Sequence, residues 1–250
     1  MSDVSEEAVV LEVYPLPKRS PATRAVRFFG WLFLGVGLFL LGFVGHQLFV
    51  TTWFAQQNNT ELAAEATSYF ETAETTVVEY IEPGTPALVD PAEPAPSPAT
   101  ITIEEAPPAG QAFAIIRIPT IDRLKDGWSV VEGVTRTDLR NGAGHMPLTP
   151  LPGQPGNAVI SGHRTTYGAP FHELDQLVPG DLIEVETAIG AHTYAVRESV
   201  IVRPTELWVI QDRPGAWLTL TTCHPKFSSR QRLIVFAELI DGPNARVIVG

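Results

Sequence analysis

Cysteine is almost missing from this chain: Cys223 is the only one in 250 residues. A single cysteine excludes an internal disulfide framework and any zinc site built on several thiolates. Basic side chains are missing over a long interval. Residues 51–110 carry ten Asp or Glu and no Lys or Arg. With a net charge of −11, the chain lacks the basic patches that a phosphate backbone requires, which excludes nucleic acid as its main partner. The imbalance belongs to that interval. Residues 111–250 hold fourteen acidic and thirteen basic side chains and are close to neutral. No internal repeat is visible, and 44% hydrophobic content is enough for a real core in one or two domains.

One long apolar run is present. Phe28 to Val50 contains no charged side chain apart from a titratable His46 near its end. As a helix these 23 residues span about 34 Å, enough to cross a bilayer core. Trp31 and Trp53 stand near its two ends, where indoles favour the interface. Lys18, Arg19, Arg24 and Arg27 precede it, and this asymmetry puts the N-terminus in the cytoplasm. The run is longer than the apolar part of a cleaved signal peptide, so a signal-anchor is expected. The organisation read from the sequence is a cytoplasmic tail over 1–27, a membrane helix over 28–54, an acidic extracellular linker over 55–110 and a folded domain over 111–250. Within the linker, 55–80 is rich in Ala, Glu and Thr and has some helical character. Pro83 to Pro108 holds eight prolines in 26 residues, a composition that buries too little to fold. It reads as an extended spacer reaching up to roughly 80 Å.

From Gln111 the texture changes. Phe113–Ile118, Ser129–Val134, Asn157–Gly162, Asp181–Glu186, Thr193–Val200, Trp217–Cys223 and Arg232–Leu239 are β-rich runs separated by Pro-Gly turns. Helical material is short, over Arg136–Asn141 and Pro170–Leu177. Seven or eight short strands predict an all-β domain, closed as a barrel or stacked as a sandwich. Pro225 cannot donate to a strand ladder, so the Trp217 strand must end within a residue or two of Cys223. The thiol therefore stands at a strand end.

A thiol with a free pKa near 8.5 needs a base or cation to act as a nucleophile at neutral pH. Of the six histidines, His46 belongs to the apolar run, His145 to a glycine-rich turn with a packing or capping role, and His172 and His192 to surface positions. His224 adjoins Cys223, but neighbouring strand residues point to opposite faces, so it turns away from the thiol. His163 ends its strand as Cys223 ends its own, and two such ends can meet at one barrel rim. Arg230 and Arg232 both flank the start of the last strand. Either is a candidate oxyanion donor or a solvated strand-end charge.

Ser161-Gly-His-Arg164, Thr219-Leu-Thr-Thr-Cys223 and Arg232-Leu-Ile-Val-Phe236 together resemble the sortases, membrane-anchored cysteine transpeptidases of Gram-positive bacteria. The resemblance covers about residues 112–240 and includes the chain order His, Cys, Arg. The segments Gly162 to Phe171 and Thr222 to Pro225 are similar to the actinobacterial housekeeping subgroup, class E. The resemblance implies the eight-stranded sortase β-barrel and maps the catalytic trio onto His163, Cys223 and Arg232, choosing Arg232 over Arg230. It implies attack by the Cys223 thiolate between Thr and Gly of an LPXTG- or LAXTG-type sorting signal on a secreted protein. His163 then serves as acid and later base, Arg232 binds the oxyanion, and the backbone near Thr222 is a second donor. The acceptor is an amine of a peptidoglycan precursor such as lipid II, and no metal or cofactor is required. Tyr167 is implied as a selector of Ala over Pro in the signal. The chain shows no aromatic-Pro lid of the kind that resembles pilus-assembling sortases. An L,D-transpeptidase would carry a Ser-x-Gly-Cys-x-Arg segment, which Thr-Thr-Cys-His-Pro does not match. A non-catalytic surface module explains the anchor and stalk but leaves three coinciding motifs without a cause.

Overall fold

The computed structural model describes residues 21–46, 51–81 and 99–249. Two compact units divide the chain at Gly45 and His46. The first contains helix α1, Pro21–Gly45, which opens on a proline, a residue tolerated where the first N–H has no helical partner. Its 25 residues have a mean hydropathy of 2.1 in their most apolar part, and none is buried by protein. It is long and apolar enough to cross a membrane. The apolar run is thus helical through Gly45, and residues 47–50 lie outside the described residues. The chain resumes as helix α2 at Thr51, so Thr51–Phe54 open a helix of the second unit and do not close a span ending at 54.

The second unit is built on a closed eight-stranded barrel. Its strands are β3 (Ala112–Arg117), β4 (Trp128–Glu132), β5 (Ala143–His145), β6 (Gly156–Ser161), β7 (Leu182–Thr187), β8 (Gly190–Val202), β9 (Ala216–His224) and β10 (Gln231–Asp241). They close in the order β10-β8-β7-β3-β4-β5-β6-β9. β4–β5 and β6–β9 pair parallel, and every other barrel pair is antiparallel. Seven strands coincide with the runs read from the sequence. The eighth, β5, is three residues long inside the Gly-Ala-Gly-His turn, too short for alternation to show. It needs glycine there: a Cβ on Gly144 would lie 2.2 Å from the Gly133 carbonyl oxygen.

Inward side chains such as Phe113, Ile116, Leu218, Leu220, Val235 and Tyr194 form one core. Several strands are also covered outside, which is why β3 and β10 are apolar almost throughout. Ile234 and Phe236 lie under a short 3₁₀ turn, Leu207–Ile210, with Val202 and Val209. The anticipated helices are short: α3 covers Asp138–Asn141, and a 3₁₀ turn covers Leu174–Gln176.

The stretch 55–110 is not simply a tether. Helix α2 covers Thr51–Thr72, and β1 (Thr75–Tyr80) pairs antiparallel with β2 (Ala99–Glu104). Leu62, Ala66 and Phe70 recur every four residues and lay one stripe on Ala112, Ile115 and Val131, the outer faces of β3 and β4. Asn59 fastens the helix. Its Oδ1 accepts from the Ser129 N–H at 2.8 Å, its carbonyl accepts from Ser129 Oγ at 3.2 Å, and its Nδ2 donates to the Gly127 carbonyl. β2 is held by Ile101 in the barrel core and by Asn244, which exchanges hydrogen bonds with both backbone groups of Thr102 at 2.9 and 2.7 Å. A stripe of three residues in an Ala/Glu/Thr-rich segment carries too little contrast to betray this packing. Residues 82–98, with most of the prolines of the spacer, lie outside the described residues.

Candidate active site

Strand pairing brings the three sequence-predicted residues to one rim. Cys223 and Arg232 are directly opposed partners across β9 and β10 and project from the same face. β6 runs parallel to β9, with Ser161 beside Thr221, and the Gly162 N–H continues the ladder to the Thr221 carbonyl. His163 follows at once. Gly162 is required because a Cβ there would lie 2.6 Å from the Phe171 ring. His163, Cys223 and Arg232 line one cavity of about 260 Å³ with Leu139, Ser161 and Thr222. Cys223 is a half-buried free thiol. Arg230 does not line this cavity and is exposed.

The Arg232 guanidinium spends one nitrogen on the carbonyls of Ser229 and Gln231, at 2.9 and 3.0 Å. Among the described residues its remaining N–H groups meet no acceptor, so a bound carbonyl finds donors there. His163 is half-buried. Burial, and secondarily the positive charge of Arg140, hold its imidazole below the usual histidine range. Its Nε2 is buried with no partner among the described residues. Thr222 is buried, and its hydroxyl donates to the Gly162 carbonyl at 2.7 Å. That bond ties the residue before Cys223 to the residue before His163.

A second cavity of about 150 Å³ shares Ser161, Thr221 and Arg232 with the first; Met146, Val202, Leu207, Val209, Ile210 and Ile234 give it a largely apolar wall, with Arg203 and Glu206 also on its lining. It extends the groove. Tyr167 lines neither. It takes a positive φ of 52°, packs tilted against the His163 ring with centroids 5.1 Å apart, and opens on a third cavity beside α2.

Arg164 is the residue that the sequence reading quoted but gave no role. It is buried, and its guanidinium donates to the Cys223 carbonyl at 3.3 Å and to His224 Nδ1 at 2.8 Å. It also pairs with Asp175 at 2.8 Å. Its own carbonyl accepts from His172 Nδ1–H at 2.7 Å. Burial works to raise the Asp175 carboxyl, but the charge of Arg164, with smaller help from a backbone hydrogen bond and Lys226, outweighs it and leaves the group below the usual range. One guanidinium thus clamps the loop after β6 to the end of β9. A charged residue next to the motif histidine was the only signal available. His224 is engaged by this clamp and turned from the thiol, as strand alternation predicts.

The other histidines differ from one another. His145 is fully buried, packed edge-on to Phe113, with Nδ1 2.6 Å from Glu132, a packing role in keeping with its place in the turn. His172 is half-buried. His192, expected at the surface, is fully buried against Gly153 at the opposite end of the barrel. A strand entrance is exposed only when nothing covers it, and the Gly153 turn covers this one.

A closed barrel thus carries a lone thiol, an imidazole and a guanidinium in one cavity at one rim. Residues 116–240 match the sortase domain family. Sortase SrtE1 of Streptomyces coelicolor is 32% identical over 148 residues, covering 53% of this chain and 41% of the relative. Sortase D of Bacillus subtilis is 33% identical over 120 residues, covering 48% and 58%. Among solved structures, the SrtF sortase from Corynebacterium diphtheriae superposes with a TM-score of 0.50 at 32% identity, covering 54% of this chain and 88% of that one. The chain belongs to the sortase family, and its likeness to SrtE1 agrees with the class E features of its sequence. It spans about half the length of the curated relatives it matches.

Proposed function

We propose that the protein is a cysteine transpeptidase that joins secreted proteins bearing a sorting signal to a cell-wall amine. The observation that carries this reading is the opposition of Cys223 and Arg232 across β9 and β10, with His163 in the same cavity. Cys223 attacks the Thr–Gly carbonyl of an LPXTG- or LAXTG-type signal. The apolar cavity beside Arg232 suits the leucine of such a signal, and Arg232 donates to the oxyanion. Removing one such donor typically costs about 3–4 kcal/mol. The Thr222 hydroxyl is committed to Gly162, so its contribution to substrate is through the backbone and through the placement of His163. His163 protonates the departing glycine amine and later deprotonates the acceptor, an amine of a peptidoglycan precursor such as lipid II.

The half-burial of His163 and the charge of Arg140 favour its neutral imidazole, the form that accepts the acceptor's proton in the second step. Tyr167 acts on signal choice through its contact with the His163 ring, since it lines neither cavity that holds Arg232. α1 anchors the chain, with residues 1–27 cytoplasmic and the barrel outside the cell. Protease added to intact cells then digests the barrel-bearing unit and spares residues 1–27.

The test is cleavage of quenched LAXTG and LPXTG peptides. Cys223→Ala and His163→Ala each abolish turnover, and Arg232→Ala loses most of it while Arg230→Ala keeps most. Turnover retained in Cys223→Ala overturns the thiol mechanism.

A further inference from the structure

The short helix α3 separates two cavities. Leu139 faces the one that holds Cys223, whereas Arg140 and Asn141 face another, of about 300 Å³, whose remaining walls are Phe54, Ala55 and Asn58 of α2 and Tyr167. His163 walls the first cavity and Tyr167 the second, and their rings are in contact at 5.1 Å. A molecule seated on Arg140 in the second cavity lies against Tyr167, and an extended one reaches past that ring to the imidazole it touches. The cavity is a built feature, because α2 forms its floor. Asn58 Nδ2 donates to the Asn141 carbonyl at 3.2 Å, and Ala55 packs against the Gly168 turn.

The lining has a definite chemistry. The Arg140 guanidinium lies over the Tyr167 ring at 5.4 Å, an arrangement that leaves its N–H edge free. Among the described residues no carboxylate pairs with it. In a chain of net charge −11, this is an unspent cation beside an amide and an aromatic face. A planar fork of donors matches a carboxylate.

We propose that this cavity receives the acceptor of the second step, and that Arg140 selects acceptors in which the nucleophilic amine is accompanied by a carboxylate. The inference rests on the transpeptidase reading. In that step the acceptor nitrogen gives its proton to His163 and forms the C–N bond to the acyl carbon. The C–S bond breaks and its electron pair returns to Cys223 Sγ. A carboxylate seated on Arg140 also offsets the charge that weakens His163 as a base, at the moment when a base is needed.

The experiment uses the full chain in detergent micelles with two small acceptors, triglycine and triglycinamide, which differ only in the carboxylate. In the non-reacting Cys223→Ala protein, saturation-transfer NMR reads binding directly. Triglycine gives the stronger signal, and Arg140→Gln reduces it to that of the amide. In the reactive enzyme with a LAXTG peptide as donor, transfer at subsaturating acceptor favours triglycine about threefold to fivefold, the size of an exposed carboxylate–guanidinium contact. Arg140→Gln brings that ratio to one, and Arg140→Lys, which keeps the charge and loses the fork, leaves an intermediate value. Equal binding of the two acceptors, or a preference that survives Arg140→Gln, overturns the proposal. If no donor peptide is cleaved, the transpeptidase reading fails, while the binding comparison still decides the site.

Discussion

Replacing Arg164 by methionine tests whether the clamp between the β6 loop and the end of β9 holds the site together. Methionine keeps the length of the side chain and removes the guanidinium. The Cys223 carbonyl and His224 Nδ1 then lose their donor, and Asp175 loses its close cation. Asp175 is 43% exposed at its side chain and recovers water, whereas the other two acceptors belong to half-buried residues and recover less. Each lost bond to a charged group is worth about 1.5–3 kcal/mol, and the Cys223 bond, long at 3.3 Å, lies at the low end. The sum is about 3–4 kcal/mol, within the range found when one partner of a buried ion pair is removed. For a unit of this size that lowers Tm by about 10 °C. The assay is a thermal melt of the full chain beside peptide cleavage at a temperature where both proteins are folded. Because Arg164 acts through the backbone of Cys223, kcat falls roughly tenfold to a hundredfold even in the folded variant. Asp175→Asn, which leaves the guanidinium on Cys223 and His224, costs far less in both readouts. A Tm within a degree or two of the parent for Arg164→Met, with unchanged kcat, refutes the clamp.

Two buried groups outside the site make the pH dependence of stability testable. Burial raises the Glu104 carboxyl to about 7, so between pH 4.5 and 7 the folded protein keeps a proton that the unfolded chain has released. The Glu104 contribution to stability therefore declines as pH rises through that window, by about 3 kcal/mol in all, and Glu104→Gln removes that contribution. Burial lowers His192 to about 4, so stability declines as pH falls from about 6.5 to 4, by a similar amount. Denaturant midpoints from pH 4 to 8 show wild type with a shallow optimum and Glu104→Gln rising steadily to about pH 6.5; a flat profile for both contradicts this reading. In Cys223→Ala, the ring protons of His163 titrate below about 6.5 by NMR, and Arg140→Gln recovers part of the shift, since burial is the larger cause. Leu62→Ala in α2 destabilises the second unit by about 2–3 kcal/mol, whereas a true tether would tolerate it without effect.

The candidate active-site end of the barrel was legible in part because its logic is local, while the choice of Arg232 over Arg230 came from the resemblance to sortases. Three motifs end or begin strands, Pro225 marks where β9 stops, and alternation alone turns His224 aside. Other parts depended on contacts that no short window contains. β5 is three residues of a glycine turn, made a strand by β4 and β6 on either side. Leu62, Ala66 and Phe70 become a packing stripe only because β3 and β4 offer Ile115 and Val131 on their outer faces. His192 reads as exposed until the Gly153 turn, some forty residues upstream, closes over it. Arg164 reads as one more charge until folding brings Cys223, His224 and Asp175 to its guanidinium. Tyr167, expected four residues after His163 along the signal groove, takes a positive φ, packs on the His163 ring and lines the cavity beside α2.

The most direct test is the mass of the protein itself. Incubated with a LAXTG peptide in the absence of an acceptor and quenched in acid, the full chain gains the mass of the peptide through its threonine, and the adduct maps to Cys223. The adduct disappears in Cys223→Ala and is released by added amine as an amide of the same threonine. An unmodified mass under conditions where the peptide is nevertheless cleaved contradicts the thioacyl mechanism.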